Sequence, residues 1–154
     1  MTVYHKPSAA TRLFNSIWGR IAGAGLSPKN MVTLEVRGRR TGQPRRVPVN
    51  WIDYQGGRYL VSPRGETDWV RNVRAAAGQA VILHGKRTPV RLEEVPPEDR
   101  APIIKKYLAR NAVSTRAHFG VDPKADISEF ERIAAAHPVF RVVETSRHGT
   151  ASRR

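Results

Sequence analysis

Apolar and polar residues alternate in six short runs of this chain: Met31–Val36, Val47–Tyr54, Arg58–Ser62, Ala80–Leu83, Thr88–Val95 and Pro138–Glu144. A period of two predicts strands with one buried face. Gln55-Gly56-Gly57 and His84-Gly85-Lys86 read as hairpin turns. Pro48 within the second run marks an edge or a bulge, since proline cannot donate to a ladder.

Four other stretches carry helical spacing. Leu13, Phe14, Ile17, Trp18 and Ile21 form one stripe over Ser8–Ala24, ended by Gly23, Gly25 and Pro28. Two roles stay open for it: packing on the domain's own core, or a surface helix that visits a membrane or closes over a ligand. Asp68–Ala77 places Trp69, Val73 and Ala76 on a buried stripe, with Gly78 as a C′ stop and Asn72 beside the stripe as an exposed residue or a loop-pinning hydrogen-bonder. Pro96-Pro97-Glu98-Asp99 opens a helix to Arg110. Asp126-x-x-Glu129 is a capping box for Ile127–Ala136. The stretch Asn111–Lys124 reads as irregular, with Phe119-Gly120 as part of a pocket lid.

Six strands, mostly in hairpins, with a helix between the third and fourth, predict a small α+β barrel with peripheral helices. The 154 residues suit one domain over 1–145, and the arginine-ended stretch 146–154 reads as a disordered tail.

Charge narrows the partners. Twenty-seven Lys and Arg against thirteen Asp and Glu leave +14, which points to nucleic acid, a membrane surface or an acidic small molecule. No nucleic-acid motif is present and few aromatics interleave with the basic residues, so no specific nucleic acid is expected. The chain has no cysteine, which excludes disulfides, thiolate ligands and a cysteine nucleophile. The five histidines have no ligand spacing, so no metal is expected, and His137 reads as structural. No G-x-S-x-G, H-E-x-x-H, P-loop or Rossmann fingerprint occurs. Without a signal peptide or an 18-residue apolar run, a cytoplasmic location is the default.

A cofactor can carry chemistry that the side chains do not. The segment Arg37–Arg46, RGRRTGQPRR, holds five arginines around a Thr41-Gly42-Gln43-Pro44 turn between two strands. A guanidinium cluster beside free amides and a hydroxyl suits an anionic oxygen ligand, most simply a phosphate. Ser62-Pro63-Arg64-Gly65 is a second polar loop with a cation. The strands between bring both loops near the helix led by Trp69.

The run Gly38–Arg45, GRRTGQPR, resembles the GR[KR][ST]GQPR motif of the actinobacterial deazaflavin-dependent nitroreductase/quinone reductase family. Val61-Ser62-Pro63-Arg64-Gly65, Trp69–Ala75 and His137-Pro138-Val139-Phe140 are similar to its later segments, so the likeness spans about residues 9 to 143. It implies a six-stranded antiparallel split β-barrel, of the kind that also binds FMN, holding coenzyme F-420 (8-hydroxy-5-deazaflavin), with FMN the weaker candidate. By position, Arg39, Arg40, Thr41, Gly42 and Arg45 would hold the phosphate and the start of the glutamyl tail. Arg46, Val47, Pro48, Val49 and Asn50 would line the cofactor. Ser62, Pro63, Arg64 and Gly65 would touch the ring through backbone amides. Asp68, Trp69, Val70, Arg71 and Asn72 would close the site.

The implied reaction is hydride transfer from the reduced cofactor to a small-molecule acceptor: a quinone, an enone or a nitroaromatic compound. Where the family places tyrosines around the substrate, this chain has Asn50 and no tyrosine cluster after Tyr107. Asn50 is thus only a pocket candidate and no catalytic residue is assigned. The alternative is a non-catalytic carrier of the deazaflavin, a fatty acid or another anion. Monomer and homodimer both stay open.

Overall fold

The computed structural model describes residues 30–145, with the side chains of 111–117 excepted. The helix expected at Ser8–Ala24, with its membrane or lid role, and the tail 146–154 lie outside the described residues. In order come β1 (Met31–Arg37), β2 (Pro44–Tyr54), β3 (Gly57–Val61), α1 (Asp68–Ala75), β4 (Gln79–Leu83) and β5 (Arg87–Glu94). A 3-10 turn (Pro97–Asp99), α2 (Ala101–Phe119), α3 (Ile127–Ile133), a second 3-10 turn (Ala134–Ala136) and β6 (Val139–Glu144) complete the fold.

All pairings are antiparallel, and the strands close in the order β1-β2-β3-β6-β5-β4. The expected six-stranded α+β barrel with peripheral helices is the fold observed. Alternation explains its inside. Val32, Leu34 and Val36 of β1 face Val49, Leu60, Ile82, Val90, Leu92 and Phe140 across the lumen, joined by Trp69, Val70 and Val73 of α1. Each such side chain, fully buried, contributes roughly 1.5–3 kcal/mol of transfer free energy. The opposite faces of β2, β3 and β6 are covered too. Ile52, Val61 and Val139 pack with Ile103, Ile104, Tyr107 and Leu108 of α2 and Phe130 of α3.

β2 is the strand that makes room for a site. Its Pro44–Asn50 half pairs with β1 and its Trp51–Tyr54 half with β3. On the Asn50 side of Trp51, in the Pro44–Asn50 half, β2 and β3 are therefore no longer partners. Pro48 lies in that half, paired with Thr33 of β1 alone, which is where a residue without an N–H does no harm.

Several boundaries differ from the sequence expectation. Pro44, Arg45 and Arg46 belong to β2, so the arginine loop shrinks to Gly38–Gln43. The helix α1 stops at Ala75, with Ala76 as its cap. Ala77 takes the left-handed C′ position (φ 54°) and Gly78 is C″ (φ 84°). The bonds Gly78 N–H to Val73 O (2.9 Å) and Ala77 N–H to Arg74 O (3.2 Å) make this a Schellman motif. Residues Asn111 to Phe119 continue α2 instead of forming an irregular stretch. Phe119 is no lid: it is buried against Tyr107 and His137, with ring centroids 6.1 and 4.4 Å away. Asp126 caps α3 through Ser128 N–H at 3.1 Å, while Glu129 pairs with Arg132 and not with the cap.

Between β5 and α2, Arg100 is buried and donates to Val95 O (2.8 Å) and Ala134 O (3.2 Å) and pairs with Glu94 (3.1 Å). Burial lowers its pKa from the ordinary arginine value, yet guanidinium stays protonated at any ordinary pH. Glu94 also meets Arg74 of α1 at 2.7 Å, and Arg74 meets Glu66 at 2.5 Å. This chain of ion pairs ties the helix over the barrel end to β5.

Candidate functional site

A cavity of about 610 Å³ opens where β2 leaves β3. Its floor is apolar, from Val36, Val47, Pro48, Val49 and Val61. The arginine loop forms one rim through Gly38, Arg39, Arg40 and Thr41, continued by Arg45 and Arg46 of β2. Ser62, Pro63 and Arg64 form the other rim, and Thr67, Asp68, Trp69 and Asn72 close the top. An amphipathic enclosure with one cationic side suits a flat apolar body that carries an anionic arm.

Of the residues expected here, Arg39, Arg40, Thr41, Arg45, Arg46, Val47, Pro48, Val49, Ser62, Pro63, Arg64, Asp68, Trp69 and Asn72 come together on the walls. Gly42, Asn50, Gly65, Val70 and Arg71 do not. Gly42 turns the loop at φ 75°. Asn50 and Val70 are fully buried. Arg71 is solvent-exposed on α1. Gly65 (φ 83°) sits behind its loop, where a Cβ would meet Ala136 O at 3.0 Å. Val36, Gly38, Val61 and Thr67 line the cavity without having been foreseen. The inward alternation of β1 and β3 marks Val36 and the strand-end position marks Val61; Thr67 carried no signal.

The loop amides expected to be free are largely used. Gly38 N–H bonds Gln43 O (2.8 Å), Gly42 N–H bonds Gly38 O (2.9 Å) and Gln43 N–H bonds the Thr41 hydroxyl (3.2 Å). Arg39 N–H bonds Asn72 Oδ1 at 3.1 Å. On the other rim, Ser62 N–H bonds Pro138 O, Gly65 N–H bonds Ser62 O, and Pro63 has no N–H. Ser62 Oγ donates to Gly65 O at 2.6 Å. Paired amides make rigid loops, and recognition of an anion then falls mainly on side chains.

The arginines divide into two kinds. Arg39 is satisfied within the protein: Nη1 donates to Asn72 Oδ1 at 2.8 Å, Nη2 pairs with Asp68 at 3.2 Å, and only 21% of its side chain is exposed. It clips the loop to α1, the loop-pinning role open to Asn72 in the sequence. Arg46 is held through Nε by Glu35 (2.9 Å), which also binds Arg87. These two guanidinium groups, Arg87 first, keep the Glu35 carboxyl below its ordinary value. Arg40, Arg45 and Arg64 have no carboxylate partner among the described residues. They are the cations available to a ligand.

Behind the second rim, His137 is buried against Phe119, its Nδ1 3.2 Å from Ser62 O. A carbonyl can only accept, so Nδ1–H is the donor, and burial lowers the ring's pKa. It braces the loop from behind. Among the described residues no group of three or more His, Cys, Asp or Glu could hold a metal ion, and no helix is long and apolar enough to cross a membrane.

No curated protein matches the sequence. Among solved structures, the chain is similar to a protein of unknown function from Agrobacterium tumefaciens str. C58 (16% identity, 94% of this chain and 60% of that one, TM-score 0.55). It is similar as well to a putative pyridoxamine 5'-phosphate oxidase from Listeria innocua (10% identity, 87% and 94%, TM-score 0.51). An F-420-H2-dependent reductase, FDR-A, also matches (20% identity, 74% and 94%, TM-score 0.48). The first two likenesses concern the fold alone. The family model for F-420H(2)-dependent quinone reductases matches residues 9–124, and the chain therefore belongs to that family, reductases whose cofactor is coenzyme F-420.

Proposed function

We propose that the cavity between β2 and β3 holds reduced coenzyme F-420 and presents it to a quinone, an activated enone or a nitroaromatic compound. The observation that carries this reading is the coincidence, in one cavity of about 610 Å³, of an apolar floor with a rim of three arginines, Arg40, Arg45 and Arg64, that have no carboxylate partner among the described residues. The residues fit the group. Its phosphate and glutamyl carboxylates are met by guanidinium forks, and its flat ring is met by Val47, Val49, Val61 and Trp69. When bound in reduced form, the cofactor supplies a hydride to the acceptor.

The protein supplies position and dryness. Trp69, 9% exposed and tilted on Phe140 at 5.7 Å, is a fixed wall. The internally bonded rims hold their shape before ligand arrives, which lowers the entropy lost on binding. Net charge of +14 draws a polyanionic cofactor to the opening. Among the described residues, no His, Tyr or Cys lines this cavity.

Oxidation of reduced F-420 by menadione, an enone and a nitroaromatic compound, followed through recovery of deazaflavin fluorescence, tests the reading. Turnover with one acceptor class supports it. Saturable binding with no oxidation by any acceptor would instead support a carrier.

A further inference from the structure

The barrel has a second mouth, at the strand ends opposite the arginine loop. The inward alternation that buries Val49, Leu60 and Leu92 continues there with Trp51 and Asp53 of β2, Arg58 of β3 and Glu144 of β6, so the lumen face turns polar. A cavity of about 730 Å³ lies among them, within the size range of small-molecule sites, and it shares no lining residue with the first cavity. Its floor is Trp51, Ile82, Val90 and Val142. Trp51 is only half-buried, and a fixed cation lies on it: Arg58 Cζ is 3.9 Å from the centre of the indole. Asp53 holds that guanidinium twice, Oδ1 accepting from Nε at 2.7 Å and Oδ2 from Nη2 at 3.3 Å. The pairing keeps the Asp53 carboxyl below its ordinary value. With 43% of its side chain exposed, Arg58 leaves the face turned away from the indole open. His84 meets Trp51 with ring centroids 5.1 Å apart, and its N–H closes a turn on Lys86 O at 3.1 Å, which sets Lys86 on the rim. Arg58, Lys86 and Arg141 against Asp53 and Glu144 leave the walls one positive charge. Lys86 and Arg141 have no carboxylate partner among the described residues.

We propose that this mouth is a second small-molecule site, for a planar aromatic monocarboxylate whose ring packs on the Trp51–Arg58 stack and whose carboxylate is received by Lys86. The stack is held by Asp53 before any ligand arrives, which lowers the entropy lost on binding. Planar rings suit both an indole and a guanidinium face. One net positive charge suits a monoanion, whereas the arginine rim of the first cavity suits a polyanion, so the two cavities take different ligands. The inference does not depend on the F-420 reading.

Two probes of one shape separate ring from charge: 2-naphthoate and the uncharged 2-naphthamide. In NMR titrations of the labelled full chain, 2-naphthoate is expected to shift the Trp51 indole N–H and the Gly56, Gly57 and Gly85 amides along one saturable curve. Gly38 and Gly42 of the arginine loop stay in place. Lys86→Ala, on an exposed turn, is expected to weaken 2-naphthoate about fivefold, the loss of one charge-assisted contact at a partly exposed site, and to leave F-420 binding unchanged. The amide binds wild type about fivefold more weakly than the acid and does not distinguish the variant. No saturable shift of Trp51 up to about 10 mM acid overturns the assignment. So do equal binding of acid and amide, unchanged acid affinity in Lys86→Ala, and shifts confined to Gly38 and Gly42, which would put the acid in the first cavity. Failure of F-420 itself to bind overturns only the earlier reading, and so is told apart.

Discussion

The cap at the end of α1 contains two adjacent left-handed residues whose substitutions should have opposite signs. Gly78 is buried at φ 84°, and a Cβ there would lie 2.5 Å from Leu92 O, a backbone atom of β5, and 3.3 Å from Leu92 N. Gly78 O also accepts Leu92 N–H at 2.7 Å. Gly78→Ala must push the helix end and β5 apart. The left-handed alanine costs about 1 kcal/mol, the lost or stretched hydrogen bond about 1, and the displaced packing of Leu92 at least about 1 more. A total of about 3 kcal/mol lowers the melting temperature by roughly 10 °C for a domain of this size. Ala77 beside it is exposed at φ 54° and has no such neighbour. Ala77→Gly relieves the backbone strain at the expense of a freer unfolded chain, and should be neutral or stabilising by less than about 1 kcal/mol. Thermal and urea unfolding of the two variants against wild type is the assay. A neutral Gly78→Ala, or an Ala77→Gly that loses more than about 1 kcal/mol, would refute the Schellman assignment and the close approach of α1 to β5.

Three further outcomes follow from other parts of the structure. Arg45→Ala and Arg64→Ala should weaken F-420 binding with a shallower salt dependence and leave melting unchanged; Arg39→Ala should lower melting, because it releases the loop from Asn72 and Asp68. Arg74→Ala should destabilise by about 1 kcal/mol, the figure being discounted for the partial exposure of Glu66, Arg74 and Glu94. Arg74 holds Glu94 below its ordinary pKa, so the pair's stabilisation is present above the unfolded carboxylate value and fades as pH falls through the lower folded one; acid unfolding midpoints of wild type and variant should converge. His137 has a depressed folded pKa, so the unfolded chain takes up the proton first: stability should begin to fall as pH drops below about 6.5 and level off at the folded value, and His137→Gln should flatten that part of the profile.

Much of this was legible in the sequence because alternation is a direct readout of a barrel. Val32, Leu34 and Val36 point inward together, and no other period fits them. What failed did so for physical reasons. Arg45 and Arg46 look like loop residues because they are charged, yet in β2 they alternate: Glu35 sits directly across from Arg46 to receive it, while Arg45, across from Val36, lines the cavity. Asn111–Phe119 lacks a clean apolar stripe, so the helix end that buries Phe119 gave no periodic signal. The arginine cluster was readable as an anion site, but which guanidinium groups are spent inside the protein was not. That depends on Asn72 and Asp68, about thirty residues away in the chain, meeting Arg39. Likewise nothing local could tell that the amides of Gly38, Gly42 and Gln43 close on their own loop.

A coenzyme F-420 site between β2 and β3 whose cationic rim recognises the anionic tail makes a direct demand on binding. The decisive experiment is fluorescence titration with F-420, and with FMN in parallel, at physiological salt. Saturable binding of F-420 in preference to FMN, weakened by Arg45→Ala, is the predicted result. Equal or tighter binding of FMN, or binding of neither, would contradict it.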